Sequence, residues 1–151
     1  MDIYFDHLLQ TRKNIINILN SGVDLFTIPE GFNNNIFWNA AHNLVTQQLL
    51  CYGLSGFKLD LSSDIVDTYR KGTVATSNED QIIAKSFLIS ELEDSVARMK
   101  HDYQSGLFKK EFKEYPTSYG ITLRSIEEAI AFNNTHEALH LGYIMAMRKK
   151  L

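Results

Sequence analysis

Residues 123–147, LRSIEEAIAFNNTHEALHLGYIMAM, decide the fold. Leu123, Ile126, Ala129, Ile130, Asn133, His140, Ile144 and Met147 recur at helical spacing, and Thr122 stands before them as a candidate N-cap. The segment closes on Arg148, Lys149 and Lys150, cations that suit the negative end of a helix dipole and need no nucleic-acid explanation.

Three more helices are expected upstream. From Asp2 to about Asn20 the positions Ile3, Phe5, Leu8, Leu9, Ile15, Ile16 and Leu19 broadly follow helical spacing, and Ser21-Gly22 ends the run. From Asn34 to about Tyr52 a stripe of Trp38, Ala41, His42, Val45, Leu49 and Tyr52 leaves Asn39, Asn43, Thr46 and Gln47 largely off it, and Gly53 ends the helix. Thr76 and Glu79 have capping-box spacing ahead of a long stripe through Leu88, Leu92, Val96 and Met99, which predicts a helix from about Ser77 to Gln104. The stretches between are rich in Gly, Pro, Asn and Ser. A crossover over residues 53–76 carries a short helix, Ile65 to Arg70, and residues 105–121 form a long loop with room for a short hairpin. Neither an internal repeat nor a low-complexity segment is visible. The reading is an all-α four-helix bundle with long crossover connections, one domain over residues 1–151.

Composition sets the class. The chain is 44% apolar and 22% charged, the balance of a globular protein, and 151 residues bury roughly 68–70% of their unfolded surface. A net charge of −3 supplies no basic field for a phosphate backbone, so no nucleic-acid partner is expected. Cys51 is the only cysteine and can form no internal disulfide, and the start MDIYFDHLLQ lacks the pattern of a signal peptide. With no run near the roughly 18 apolar residues of a membrane span, the expectation is a cytoplasmic protein with no membrane partner.

Five histidines occur, and three fall where they should face the bundle interior. His136 and His140 are four apart, so their side chains leave one helix face separated by roughly 40° of rotation and can reach one ion. His42 lies in the apolar stripe of its helix, where an unpaired ring would cost roughly 1–3 kcal/mol. One divalent metal ion would satisfy all three rings, and three protein ligands leave a coordination position open, as in a catalytic site. The plain reading of each histidine is a hydrogen-bonded core residue or a solvated one; His7 and His101 take the second. Cys51 reads as packing.

The segment His136-Glu137-Ala138-Leu139-His140 also satisfies H-E-x-x-H, the metalloprotease signature in which the glutamate is general base. That reading makes Glu137 the candidate catalytic residue, with a solvated surface glutamate as the plain one. The protease class itself is disfavoured, because no residue after His140 is His, Asp or Glu to complete the ligand set.

Two segments in order resemble the DinB-like superfamily, the damage-inducible and YfiT-type proteins. Asn35-Ile36-Phe37-Trp38-Asn39-Ala40-Ala41-His42 is similar to its second-helix segment, in which an aromatic precedes the first metal histidine by four residues. Thr122-Leu123-Arg124-Ser125-Ile126, followed by His136-Glu137-Ala138-Leu139-His140-Leu141-Gly142, is similar to its last helix. Tyr143 departs from the pattern, standing where the family often has glutamine. Gly142 is read as a site where a neighbouring helix approaches closely. The resemblance implies a four-helix bundle holding a divalent metal through His42, His136 and His140. It also implies relatives that are thiol-dependent transferases or isomerases using a low-molecular-weight thiol.

The functional expectation is a metal-dependent transferase or hydrolase, with zinc or nickel as the ion, acting on a small molecule or a thiol. Asn39, Tyr143 and Gln48 are candidates to support the ligands. The other class is a non-enzymatic metal-binding or structural bundle. A homodimer is expected from the resemblance and from the nine Phe and seven Tyr.

Overall fold

The computed structural model describes residues 1–76, 82–109 and 111–151, and these are mostly helical. α1 is Asp2–Leu19 and α2 is Ile36–Gln47, which runs on without a break into a π-helical turn, Gln48–Gly53. α3 is the short Ser63–Tyr69, α4 is Lys85–Gln104 and α5 is Ile126–Arg148. A two-stranded antiparallel hairpin, β1 (Tyr115–Pro116) and β2 (Thr122–Leu123), precedes α5, with Tyr115 opposite Leu123. Among the described residues no helix is long and apolar enough to cross a membrane.

α2 is the central element. It packs on α5, α3 and α4 and touches α1, and of its twelve residues only Thr46 is not buried. A helix covered on all sides has no solvent face to give its polar residues. Asn39, Asn43 and Gln47, expected off the buried stripe, are therefore inside. Asn35 starts the helix: its side-chain oxygen accepts from the Trp38 N–H at 2.7 Å, taking up a backbone donor that the first turn leaves unpaired.

Two boundaries differ from the sequence reading. α4 begins at Lys85, because Ala84 is extended; Glu79, half of the expected capping box, lies outside the described residues. α5 begins after Ser125 and not after Thr122, whose backbone is engaged in the hairpin with Pro116. Ser125 accepts from the Glu128 N–H at 3.3 Å, and the Glu128 carboxylate accepts from the Arg124 N–H at 2.6 Å. Gly142 also differs: a methyl group there would meet nothing, since the residue lies on the exposed side of α5.

The core has two apolar halves. One gathers Ile15, Leu19, Leu44, Leu88, Leu92 and Ile144, the other Leu8, Leu50, Val96, Met99 and Ile130. Between them lies a polar layer to which every long helix contributes. Arg12 of α1 is fully buried and uses all five of its N–H donors. Its Nε and Nη2 donate to the two oxygens of Glu137 on α5 at 2.9 and 2.7 Å, and Nη2 also donates to Gln47 Oε1 on α2 at 3.0 Å. Nη1 donates to Ser95 Oγ at 2.6 Å and to the Leu92 carbonyl at 3.0 Å, both on α4. Asn133 Nδ2 adds a bond to Glu137 Oε1 at 2.8 Å.

A buried pair of this kind is expensive to break, because the surviving charge stays in the core without its partner. Arg12→Ala or Glu137→Ala is expected to cost about 3–5 kcal/mol in denaturant unfolding, and the double variant clearly less than the sum of the two. Additive effects, or single losses below about 1 kcal/mol, would show that the pair does not hold the helices together.

Candidate metal centre

His42 projects from the middle of α2, and His136 and His140 from successive turns of α5, the helix that packs along it. One ring nitrogen from each lies within 4.8 Å of the other two, and the ring centroids are 4.5 to 5.1 Å apart. His42 is buried, and the other two are half-buried. All three line a cavity of about 590 Å³ that opens to the surface.

Neighbouring groups fix two of the tautomers. His42 Nδ1 lies 2.6 Å from the Tyr69 carbonyl, at the end of α3, so that nitrogen carries the proton and Nε2 keeps its lone pair. The Thr46 hydroxyl lies 3.3 Å from that Nε2. Trp38 stacks on the His42 ring at 4.6 Å with planes 12° apart, and its indole N–H reaches Thr73 Oγ1 at 3.2 Å. His140 Nδ1 donates to Asn39 Oδ1 at 2.7 Å. The Asn39 amide is oriented in turn by donating its Nδ2 to the Asn35 carbonyl at 2.7 Å. His136 is the exception: its Nδ1 is buried with no hydrogen-bond partner among the described residues.

The rings are neutral. Burial, with smaller repulsion from His140 and His42, pulls His136 from the ordinary 6.5 down to about 2. Burial and His42 pull His140 to about 3. His42 is lowered by burial, partly offset by its bond to Tyr69. Three neutral imidazoles, with lone pairs left open and one orphaned nitrogen, form a donor set that fits a borderline divalent cation.

The other candidate residues separate cleanly. Glu137, one residue from His136, points the opposite way: it is fully buried, both oxygens accept from Arg12, and it does not line the cavity. It is therefore neither the solvated residue nor a base poised over the histidines. Asn39 orients the His140 ring, whereas Gln48 Oε1 accepts from the Asp60 N–H at 3.0 Å, away from the cavity. Tyr143 is half-exposed and meets His140 only through a tilted ring contact, with centroids 6.4 Å apart. Cys51 is buried, and burial together with the Glu137 charge pushes its thiol up to about 12, so no thiolate is available. His7 and His101 are exposed. Sequence reasoning missed the Tyr69 carbonyl, which carries no sequence signal, and Arg12, whose signal was a charge inside the apolar stripe of α1.

A sequence model of the DinB superfamily matches residues 8–144, a span that runs from α1 to the last turns of α5 and includes all three histidines. The chain belongs to the DinB superfamily. No curated protein matches the sequence. Membership fits what the geometry of this DinB chain already provides, three histidines from two packed helices beside an open cavity. It does not fix a reaction.

The lowered histidines set a pH dependence. An unfolded histidine takes its proton near pH 6.5, whereas in the fold His136 and His140 resist protonation until about 2 and about 3. Below 6.5 the unfolded chain binds more protons, so the stability present above that value is lost as pH falls toward the folded values. The melting temperature of metal-free protein should fall steadily from about pH 7 to about pH 5, and His136→Asn should flatten the slope. An unchanged melting temperature over that interval would mean that the rings are not buried as neutral groups.

Proposed function

We propose that His42, His136 and His140 hold one divalent ion, zinc or nickel, and that the protein is a metal-dependent transferase or hydrolase on a four-helix bundle of the DinB type spanning residues 1–151. The observation that carries this reading is the approach of three neutral ring nitrogens to within 4.8 Å at the wall of an open cavity. Three protein ligands beside solvent-accessible space match the stoichiometry of a catalytic ion, while a closed structural site uses four. Bound there, a divalent ion supplies Lewis acidity and lowers the pKa of a coordinated water or thiol toward neutrality.

The chain's own part is orientation. Tyr69 and Asn39 hold protons on the Nδ1 atoms of His42 and His140, so each ring offers Nε2. The stacked Trp38 restricts the His42 ring and covers one of its faces. Glu137 acts on the site indirectly: bound to Arg12, it fixes which face of α5 turns toward the cavity. A base for the reaction would then come from the substrate, a thiol cofactor or a coordinated group, not from Glu137. The exposed Leu139, Tyr143 and Met145 on α5 support association of two copies as a homodimer.

The competing class is a binding protein with the same centre and no turnover, and the open cavity favours the enzyme. Protein purified without chelator or nickel resin should carry close to one equivalent of metal by mass spectrometry, whereas His42→Ala and His136→Ala should carry less than about a tenth of that. Metal-free wild type, after exposure to zinc or nickel, would return the histidines to the core.

A further inference from the structure

The cavity beside the histidines has an unbalanced charge. Lys71 and Lys113 line it, and among the described residues none of its walls is Asp or Glu. Neither lysine is in an ion pair among the described residues, although Arg70, Arg98, Lys100 and Arg124 all are. Their backbones are tied to the site. Lys71 lies two residues beyond Tyr69, the last residue of α3, whose carbonyl orients His42, in a turn closed by Thr73, which donates its hydroxyl to the Thr68 carbonyl at 2.6 Å. Lys113 donates its N–H to the Leu54 carbonyl at 2.7 Å, pinning the segment that leads into the hairpin against the end of the π-helical turn. Two chain segments, far apart in sequence, thus bring cations to one opening.

The remaining wall is mostly apolar, with Leu49, Leu50, Leu54, Phe132 and Leu139 among its residues. At about 590 Å³ the space falls in the usual range for small-molecule sites. Like charges facing a cavity with low-dielectric walls focus their field on it and select an anion. Lysine, a point charge with rotatable donors, takes carboxylate or phosphate equally well.

We propose that the cavity binds a small organic anion with an apolar body, its carboxylate or phosphate held by Lys71 and Lys113 and its body lying on Leu49, Leu50, Leu54 and Phe132. This names the substrate class for the histidine site and rests on that site being the reactive end of the cavity. Lys71 and Lys113 then determine specificity without taking part in the chemistry.

Calorimetric titration with 4-phenylbutyrate, 2-phenylethyl phosphate and 4-phenylbutanol tests this on metal-loaded and metal-stripped protein. At least one anion should bind about tenfold more tightly than the alcohol in both forms, and the one that does names the headgroup. The Lys71→Ala/Lys113→Ala variant should reduce that preference to about threefold or less, whereas Lys71→Arg/Lys113→Arg should keep it. Both side chains are exposed, so an unchanged melting temperature is expected and confirms that the variants fold. Equal binding of anions and alcohol, or a preference untouched by removing both lysines, overturns the proposal. Metal content measured on the same samples separates the two readings. Lysine-dependent anion binding by a protein that takes up no metal sinks the metal centre alone; a metal-loaded protein without anion preference sinks the substrate class alone.

Discussion

A single buried ion pair, Arg12 with Glu137, sets the geometry on which everything else in the fold depends. Through five donated bonds it joins α1 to α5, α2 and α4 at one level of the core. Such a pair adds little net stability over a well-packed apolar cluster of similar volume, since both charges lose their hydration. What it contributes here is position. With Glu137 locked inward, His136 lies about 100° and His140 about 60° round α5 on the same side, so both rings face the cavity together. A rotation of α5 that separated the rings from His42 would also strand a guanidinium in the core.

The site is assembled from separate local causes. Asn35 caps α2, and its own carbonyl receives the Asn39 amide, which in turn holds His140 from the other helix. Tyr69 holds His42 from the short α3, which the crossover connection brings against α2. The long connections are therefore parts of the site: one carries the carbonyl that sets a tautomer, and both supply residues to the cavity wall. Of the three rings, His136 alone has no partner for its Nδ1 among the described residues, which makes it the ring with most to gain from a cation.

Much of this was readable from periodicity. α1, α2 and α5 lie close to their expected positions because their apolar stripes are long. The three histidines were legible because i, i+4 spacing fixes a shared face and an apolar stripe fixes a buried one. Glu137 was misread because H-E-x-x-H is a pattern of identity, and only the position of Arg12, 125 residues away, decides which way that glutamate points. The polar residues of α2 were misplaced for a related reason. A stripe predicts one buried face, while α2 is covered on all sides, and that depends on contacts with elements distant in sequence. Ser125 and Glu128 were in plain view as a capping box; Thr122 drew the assignment only because the hairpin that occupies it has two-residue strands.

The measurement that bears most directly on the three-histidine centre is X-ray absorption at the zinc edge of stoichiometrically loaded protein. Three imidazole nitrogens at about 2.0–2.1 Å, completed by a light oxygen donor and with no sulfur shell, is the predicted result. Fewer than two imidazoles in the fitted shell, or a sulfur neighbour near about 2.3 Å, would contradict it, because the metal would then be held somewhere other than between α2 and α5.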